Sequence, residues 1–180
     1  MQGNPSSRDP AHSASVSGVV VRDAQPEEYD RIGEITVTAY VADGFLRGDS
    51  EYADELRSAA RRAREAELIA AVEVSTGDVL GSVTLCLPDS PWAQIARPDE
   101  AEFRMLAVDP AARTRGAGAA LVLECVRRAR AAGCRGLVLL TTAPMTTAHR
   151  LYGRLGFRRM PERDLWPRPD LQLMAYELTL

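Results

Sequence analysis

The middle of the chain contains a short basic loop rich in glycine, Arg113-Thr114-Arg115-Gly116-Ala117-Gly118. A helical pattern follows it, so the loop stands at a helix start, where backbone N–H groups lack partners and carry a partial positive charge. Arg113 and Arg115 add full positive charges, and Gly116 and Gly118 leave the backbone open to a ligand. These features predict a binding site for a phosphate or pyrophosphate group.

Two better-known phosphate loops differ from this one. A Walker loop needs a lysine after its second glycine, and the chain contains no lysine. A dinucleotide fingerprint needs Gly or Ala three residues after Gly118, where this chain has Leu121. A glycine loop can also open a helix for packing reasons alone, and the loop by itself leaves that alternative open.

The segments on either side of the loop are predicted to be a strand and a helix. Residues 103–108 form a nearly continuous apolar run, typical of a strand buried on both faces, and Asp109-Pro110 ends it. Glu124, Arg127 and Arg128 fall on the solvent-facing side of the helix. Its buried stripe is predicted to consist of Leu121, Val122, Cys125, Val126 and Ala129.

The rest of the chain supplies further strands and helices. Residues 136–142 are predicted to form a second buried strand, so that strand, helix and strand make a right-handed parallel crossover. The full order is a strand at 18–21, helices from 26 to about 44 and from about 51 to 65, a hairpin of 68–74 with 79–87, the crossover, a helix at about 146–155 and two strands ending at 171–178.

The composition suits one cytosolic domain. The 180 residues are 46% apolar, enough for one substantial core. Residues 1–17 are polar and are expected to form a disordered leader before a domain at 18–180, and no apolar run approaches the ~18 residues of a membrane span. Cys86, Cys125 and Cys134 are expected to be reduced, mostly buried thiols. His12 and His149 are too few and too scattered for a metal site, and we expect His149 on a helix surface.

Charge is distributed unevenly along the chain. Residues 23–55 hold ten acids and two arginines, a net charge of −8, whereas residues 104–163 hold twelve arginines and three acids, a net charge of +9. The basic half contains the glycine loop and suits a polyphosphate. It has no lysines and little aromatic interleaving, which argues against nucleic acid as the ligand.

The loop and a second block together resemble the GNAT superfamily of N-acetyltransferases. Residues 113–118 are similar to its Arg/Gln-x-x-Gly-x-Gly/Ala loop. About thirty residues later, 148–157 read Ala-His-Arg-Leu-Tyr-Gly-Arg-Leu-Gly-Phe, similar to its Ala-x-x-Leu-Tyr-x-x-x-Gly-Phe helix. The resemblance covers roughly 19–178. It implies a single α/β (α+β) domain, with a mixed sheet of about six to seven strands, four flanking helices and a splayed parallel crossover.

The same resemblance implies acetyl-coenzyme A as co-substrate and no metal. Its pantetheine arm would lie along the strand backbone like an added strand, and its pyrophosphate would take the loop amides and the Arg113 side chain. One departure is Met145, three residues before Ala148, where the family frequently has a cofactor-binding Asn. The residues assigned to the cofactor are Leu106, Ala107, Val108, Arg113, Thr114, Arg115, Gly116, Ala117, Gly118 and Ala119.

Acetyl transfer to an amine needs a base, an oxyanion donor and an acid. By resemblance, Glu102 is the base, acting directly or through water, and Tyr152 is the acid near the coenzyme sulfur. A backbone amide near Leu106 would be the oxyanion donor. The alternatives are that Glu102 only pairs an arginine at the strand end, and that Tyr152 is only packed.

The acceptor is less well defined than the donor. In the family the first two helices line the acceptor site, so their acidity implies a cationic primary amine on a small molecule or a peptide. Acids on solvated helix faces for solubility alone are the alternative. The acceptor's identity, the oligomeric state (a homodimer is one option) and whether Trp92 and Trp166 cover the acceptor pocket stay open.

Two other functional classes remain as alternatives. One is a catalytically silent module that binds coenzyme A, which the departure at Met145 and the open role of Glu102 leave in play. The other is a dinucleotide-dependent oxidoreductase, which the missing third glycine argues against.

Overall fold

The computed structural model describes residues 15–16, 18–46 and 51–180, which form one mixed sheet with helices on both faces. Most of the predicted leader, residues 1–14 and 17, lies outside the described residues. The strands are β1 (Ser15–Val16), β2 (Val19–Asp23), β3 (Glu67–Glu73), β4 (Val79–Cys86), β5 (Glu100–Val108), β6 (Gly136–Thr141), β7 (Arg158–Arg159), β8 (Leu165–Arg168) and β9 (Leu171–Thr179). The α-helices are α1 (Tyr29–Ala42), α2 (Glu51–Arg57), α3 (Ala59–Glu65), α4 (Ala117–Ala131) and α5 (Thr146–Arg154).

The sheet has the predicted mixed topology. Its strands run in the order β1-β2-β3-β4-β5-β6-β9-β7, and β8 pairs with β9. All neighbours are antiparallel except β5 and β6, which α4 connects as a parallel crossover. The fold prediction is therefore confirmed, and the strand count exceeds six to seven because β1, β7 and β8 have only two to four residues.

Two apolar clusters fill the faces of the sheet. One contains the predicted stripe of α4 together with Phe103, Tyr152 and Phe157. The other packs α1, α2 and α3 against Met105 and Ala107 of β5. The central strand thus contributes to both cores, as its continuous apolar run predicts.

The predicted second helix is two helices with a break at Ser58. Ser58 has φ −75° and ψ 56°, outside the helical region. The buried Arg62 side chain donates from Nη2 to the Leu56 carbonyl at 2.9 Å, so a side chain takes a carbonyl oxygen that would otherwise accept a backbone N–H in a continuous helix. Arg62 also donates from Nη1 to Thr84 Oγ1 of β4 at 3.1 Å, so the interruption accompanies packing of this side chain against the sheet.

The surface of α4 differs from its prediction at one position. Glu124, expected on the solvent-facing side, is 2% exposed. Arg127 and Arg128 both donate to its carboxylate, at 2.7–2.8 Å, and Arg128 continues to Asp23 and Glu67. The arginines make burial of the charge tolerable, because buried charges require paired, hydrogen-bonded partners.

The remaining expectations concern cysteines and membrane helices. Cys86, Cys125 and Cys134 are free and buried, as predicted. Burial raises the pKa of the Cys86 thiol to about 12. In the ranges that the structure covers, every helix is too short or too polar to span a bilayer.

Candidate active site

The parallel strands β5 and β6 separate halfway along their length. They pair only at Glu100–Gly136, Ala101–Leu137 and Glu102–Val138. β4 nevertheless accompanies β5 as far as Val108, and β9 accompanies β6 as far as Thr141. One backbone edge of β5 at 103–108 therefore has no strand partner, and an extended chain with amide groups can add to it. The predicted pantetheine residues Leu106, Ala107 and Val108 lie on this edge.

A β-bulge lies at the point of separation. Thr84 is opposite Arg104 and Ser82 is opposite Ala107, so two residues of β5, Met105 and Leu106, oppose one residue of β4. Met105 has φ 53°, a conformation that costs a non-glycine residue about 1–2 kcal/mol. The bulge breaks the regular alternation of side chains, and Met105 packs with the α1–α3 core although Phe103 packs with the α4 core. Residues held in such backbone conformations cluster at functional sites.

The glycine loop gives α4 a start without a side-chain cap. Thr114 and Gly116 have φ 74° and 82°, and Gly116 is the N-cap residue with no side-chain hydrogen bond to the helix. The first backbone bond of the helix is from the Ala120 N–H to the Gly116 carbonyl, at 3.0 Å. The amides of 117–119 precede it and have no acceptor within the helix, so they can bind an anion. The loop therefore fits the predicted pyrophosphate.

Gly118 lies where the helix start approaches the end of β5. A Cβ atom placed there would lie 3.6 Å from both Val108 Cγ2 and Leu151 Cδ2, which is ordinary packing distance. A branched side chain would need space beyond that Cβ. The absence of a side chain thus keeps the groove between the loop and the open edge of β5 clear.

The two loop arginines are held by carboxylates from other elements. Arg113 pairs with Asp43 at the end of α1 through Nη1–Oδ1 at 2.9 Å and Nη2–Oδ2 at 3.1 Å. Arg115 Nη1 pairs with Glu73 of β3 at 2.8 Å. Both pairs are partly exposed, so these contacts fix the loop without closing it. Binding of the pyrophosphate by the Arg113 side chain stays a prediction.

Glu102 is enclosed in the protein. Its Oε2 accepts the backbone N–H groups of 94–96 at 2.8, 2.8 and 3.1 Å, and the residue is 0% exposed. Its Oε1 is buried without a hydrogen-bond partner. Glu102 is absent from the lining of the cleft described below, and its role as a base, direct or through water, stays a prediction. Its carboxylate holds the loop that carries Gln94 into that cleft, and a role through water would require that water at Oε1.

Tyr152 of α5 is buried within an aromatic cluster. Its ring lies 5.8 Å from Phe103, 5.8 Å from Phe157 and 6.1 Å from Tyr176, measured between centroids. Burial raises the pKa of the Tyr152 hydroxyl. The hydroxyl therefore stays protonated over the physiological range, as an acid in the reaction must.

A pocket lies beside the bulge, on the α1–α2 side. The inner part, of about 60 Å³, includes Met105, Leu140 and Met145 in its lining. It continues into an outer cleft of about 990 Å³, which Trp166 lines. The residues common to both parts are Phe45, Tyr52, Gln94, Arg104, Thr142 and Leu173. The pocket thus joins the point where β5 leaves β6 to the protein surface.

The two tryptophans differ in their relation to this pocket. Trp166 is 60% exposed and forms part of the cleft wall. Trp92 is buried behind the pocket and donates from Nε1 to Glu65 Oε2 at 2.8 Å. Of the two tryptophans whose role was open, Trp166 lines the pocket and Trp92 does not.

Comparison with protein families gives one match over most of the chain. Residues 29–157 match the model of the acetyltransferase (GNAT) family. The chain belongs to this family. It is therefore an acyltransferase of the GNAT type, and the family uses acetyl-coenzyme A as donor. No curated protein matches the sequence.

Solved GNAT structures share the fold of the whole domain. A GCN5-related N-acetyltransferase from Kribbella flavida is 24% identical, with 91% of this chain and 98% of that chain covered at a TM-score of 0.66. A GNAT-family acetyltransferase from Desulfovibrio desulfuricans is 22% identical, covering 89% and 98% at a TM-score of 0.70. The Salmonella typhimurium acetyltransferase yncA, solved with its cofactor acetyl-CoA, is 22% identical, covering 91% and 95% at a TM-score of 0.66. At these identities the likeness shows the fold.

Sequence reasoning missed several residues that line the inner pocket of this GNAT protein. Tyr40, Tyr52 and Arg104 come from α1, α2 and β5 and meet at the inner pocket. Arg104 had one usable signal, a single charge within the apolar run of a buried strand. The tyrosines had none, because tyrosines on helices are commonly packed. Met145, the departure from the family pattern, lines the inner pocket. Its Sδ accepts a hydrogen bond from Thr141 Oγ1 at 3.7 Å.

Proposed function

We propose that this GNAT protein transfers the acetyl group of acetyl-coenzyme A to a primary amine by direct attack of the amine on the thioester. The observation that carries the proposal is the continuity of two binding elements. The open edge of β5 ends at Val108, and the uncapped start of α4 follows it after one short loop. A ligand with an amide-containing arm and a pyrophosphate fits these consecutive segments.

The chain's own residues then divide the binding and proton-transfer tasks. The amides of 115–119 and the Arg113 side chain hold the pyrophosphate, and the backbone of 106–108 holds the arm. Acetyl-coenzyme A supplies the activated acetyl group. A backbone amide near Leu106, beside the bulge, faces the developing negative charge. The protonated Tyr152 hydroxyl gives its proton to the departing thiolate, and Glu102 takes the amine proton through water at Oε1.

The acceptor in this proposal is a cationic amine on a small molecule or peptide. The acidic residues between 23 and 55 support it, and Glu55 and Asp170 line the outer cleft. Glu28 and Asp43 count less toward it, because they are paired with Arg22 and Arg113. The proposal places the enzyme in the cytoplasm, where acetyl-coenzyme A is available, and includes a homodimer as an oligomeric state.

A catalytically silent coenzyme A binding module is the second candidate. It is favoured by the enclosure of Glu102, which leaves no carboxylate among the described residues in the inner pocket. Both candidates bind the cofactor, so only turnover distinguishes them. Acetylated product from any amine, detected by mass spectrometry, would exclude the silent module.

The first test is stabilisation by the cofactor. At a hundredfold excess over its dissociation constant, a ligand that binds only the folded state adds about 2.7 kcal/mol of stability. We expect acetyl-coenzyme A to raise the melting temperature, NAD to leave it unchanged, and Arg113→Ala to reduce the rise. An unchanged melting temperature at saturating acetyl-coenzyme A would contradict both candidates.

A further inference from the structure

Arg104 places a positive charge at the acceptor side of the site. It lines both the inner pocket and the outer cleft, directly before the bulge residue Met105. Its Nη1 donates to the Trp92 carbonyl at 2.8 Å, and its guanidinium lies 5.6 Å from the centre of the Trp92 ring. Both contacts are with uncharged groups. Across the described parts of the chain, Arg104 has no carboxylate within ion-pair distance.

A second guanidinium, that of Arg62, is buried behind the pocket lining. Arg62 is 0% exposed, and it donates to Thr84 Oγ1 at 3.1 Å and to the Leu56 carbonyl at 2.9 Å. Its Nε is buried without a partner. Burial lowers its pKa to about 10, a value at which it remains charged at neutral pH. A positive charge that is bonded only to neutral oxygens is costly to bury, so the wall attracts an anion.

The acids near these arginines do not neutralise them by contact. Glu55 interacts with Arg62 through space and lines the outer cleft, but it forms no ion pair with Arg62 or Arg104 in the described residues. Glu65 is engaged by the indole of Trp92 and by Arg61. The inner pocket is thus bounded by one accessible guanidinium, the Tyr40 and Tyr52 rings and apolar side chains.

We propose that Arg104 binds a carboxylate of the acceptor, so that the substrate is a small amino acid whose amine and carboxylate reach the site together. This inference rests on the proposed acetyl transfer. Guanidinium and carboxylate match in geometry and form strong charge-assisted hydrogen bonds. Because Arg104 and the bulge residue Met105 both line the inner pocket of about 60 Å³, a carboxylate on Arg104 leaves the amine of a small amino acid within that pocket, beside the bulge. The amine can still enter as a cation, past Glu55 and Asp170.

The test compares acceptors that differ only in the carboxylate. The twenty common L-amino acids and their C-terminal amides are incubated with acetyl-coenzyme A, and the acetylated products are measured by mass spectrometry. We expect the best acid to exceed its own amide at least tenfold in kcat/KM. Arg104→Gln should remove that preference by lowering the value for the acid alone, and Arg104→Lys should keep part of it.

The matched control is Arg61→Gln. Arg61 also lies over the Trp92 ring, at 5.3 Å, but it is exposed and lies outside the pocket lining. It should leave the preference for the acid unchanged. Circular dichroism of the three variants establishes that the fold is retained. An equal decrease for acid and amide in Arg104→Gln would assign Arg104 a purely structural role and overturn the inference.

A binding measurement separates this inference from the proposed function. Calorimetry with the N-acetyl derivative of each amino acid and with the corresponding N-acetyl amide reports recognition without turnover. Carboxylate-dependent binding that Arg104→Gln abolishes would support the inference even if no amine is acetylated, in which case the proposed function fails. Acetyl transfer to acids and amides with equal efficiency would leave the function intact and overturn the inference.

Discussion

Tyr152 combines a packed ring with a hydroxyl that is predicted to act as the acid. Its ring contacts three aromatic neighbours, so its loss would disturb the α4-side core whatever the hydroxyl does. Separating ring from hydroxyl therefore needs two substitutions.

Tyr152→Phe keeps the ring and removes only the proton donor. We expect turnover to fall by roughly 10²-fold or more if the hydroxyl is the acid. Because burial raises the Tyr152 pKa, the acid form persists above the ordinary tyrosine range, and the decline of native activity should come only at higher pH. The measurement is a pH profile of kcat for the native enzyme and the variant. Full activity in Tyr152→Phe, with Tyr152→Ala merely unstable, would assign the proton to water or to the acceptor.

Glu102→Gln tests the water-mediated base. The glutamine oxygen can still accept the N–H groups of 94–96, while its amide group occupies the position of the partnerless Oε1. We expect turnover to fall roughly 10²- to 10⁴-fold and the acidic limb of the pH profile to disappear. The affinity for acetyl-coenzyme A should stay unchanged. If stability decreases while turnover and its pH profile persist, Glu102 only positions the loop.

At the level of elements, α4 is bounded by two glycines with the same backbone requirement. Gly116 precedes the helix with φ 82°, and Gly133 follows it with φ 77°. Only the first lies at the predicted pyrophosphate site. The chain thus contains its own control for the loop.

Gly116→Ala and Gly133→Ala should cost similar stability and differ in cofactor binding. Each places a Cβ in the left-handed region, which costs about 1–2 kcal/mol of unfolding free energy. Gly116→Ala should also reduce the melting shift caused by acetyl-coenzyme A, since the amides of 117–119 depend on that turn. Denaturant titration and thermal shift measure the two effects. Equal cofactor shifts in both variants would remove the loop from the binding site.

Elements with strong local patterns were predictable from sequence. The period of α4 and the hairpin of β3 and β4 were placed within one or two residues. The break at Ser58 was not, because it accompanies the burial of Arg62 against Thr84 of β4, a contact that no local pattern shows. The Met105 bulge likewise depends on the register with β4, and methionine has no preference for positive φ.

The predicted cofactor-binding residues and the inner pocket also differ in how far the sequence could predict them. The glycine loop and the helix with Tyr152 are contiguous motifs, so the sequence displays them. The inner pocket is assembled from residues far apart in the chain, Tyr40, Tyr52 and Arg104. No local pattern records that juxtaposition, and only the positions of α1 and α2 on the sheet create it.

Over the whole molecule, the acidic and basic halves of the chain bind one another. Arg113 of the basic half pairs with Asp43 of the acidic half at 2.9 Å. Arg128 of α4 bridges Asp23 and Glu67 at 2.5 and 3.0 Å. Part of the charge asymmetry along the sequence is thus neutralised by ion pairs within the protein. The charges in these pairs are weaker evidence for the charge of a ligand.

The buried member of this network should control stability in acid. Burial alone would raise the Glu124 pKa, but hydrogen bonds from Arg127 and Arg128 outweigh it and lower the pKa. A carboxyl with a lowered folded-state pKa stabilises the fold above its unfolded value, near 4.5, and that contribution is lost as pH falls through the folded pKa. Glu124→Gln should therefore be less stable than the native protein at pH 7 and approach it toward pH 3.

Urea titrations at several pH values measure this convergence. Glu27→Gln, at an exposed position of the same charge, is the control and should follow the native curve. A constant difference between Glu124→Gln and the native protein from pH 7 to pH 3 would show that the carboxylate's charge contributes nothing.

The short pairing of β5 with β6 also has a mechanical consequence. Three residue pairs join β5 to β6, whereas six pairs join β6 to β9. Arg163, which follows β7, adds an ion pair to Glu100 of β5. Beyond Glu102, β5 and β6 have no backbone pairing among the described residues. We expect a ligand bound along β5 and at the start of α4 to reduce the relative motion of the strands on the two sides of the gap. Strands that do not contact the ligand would then also become more rigid.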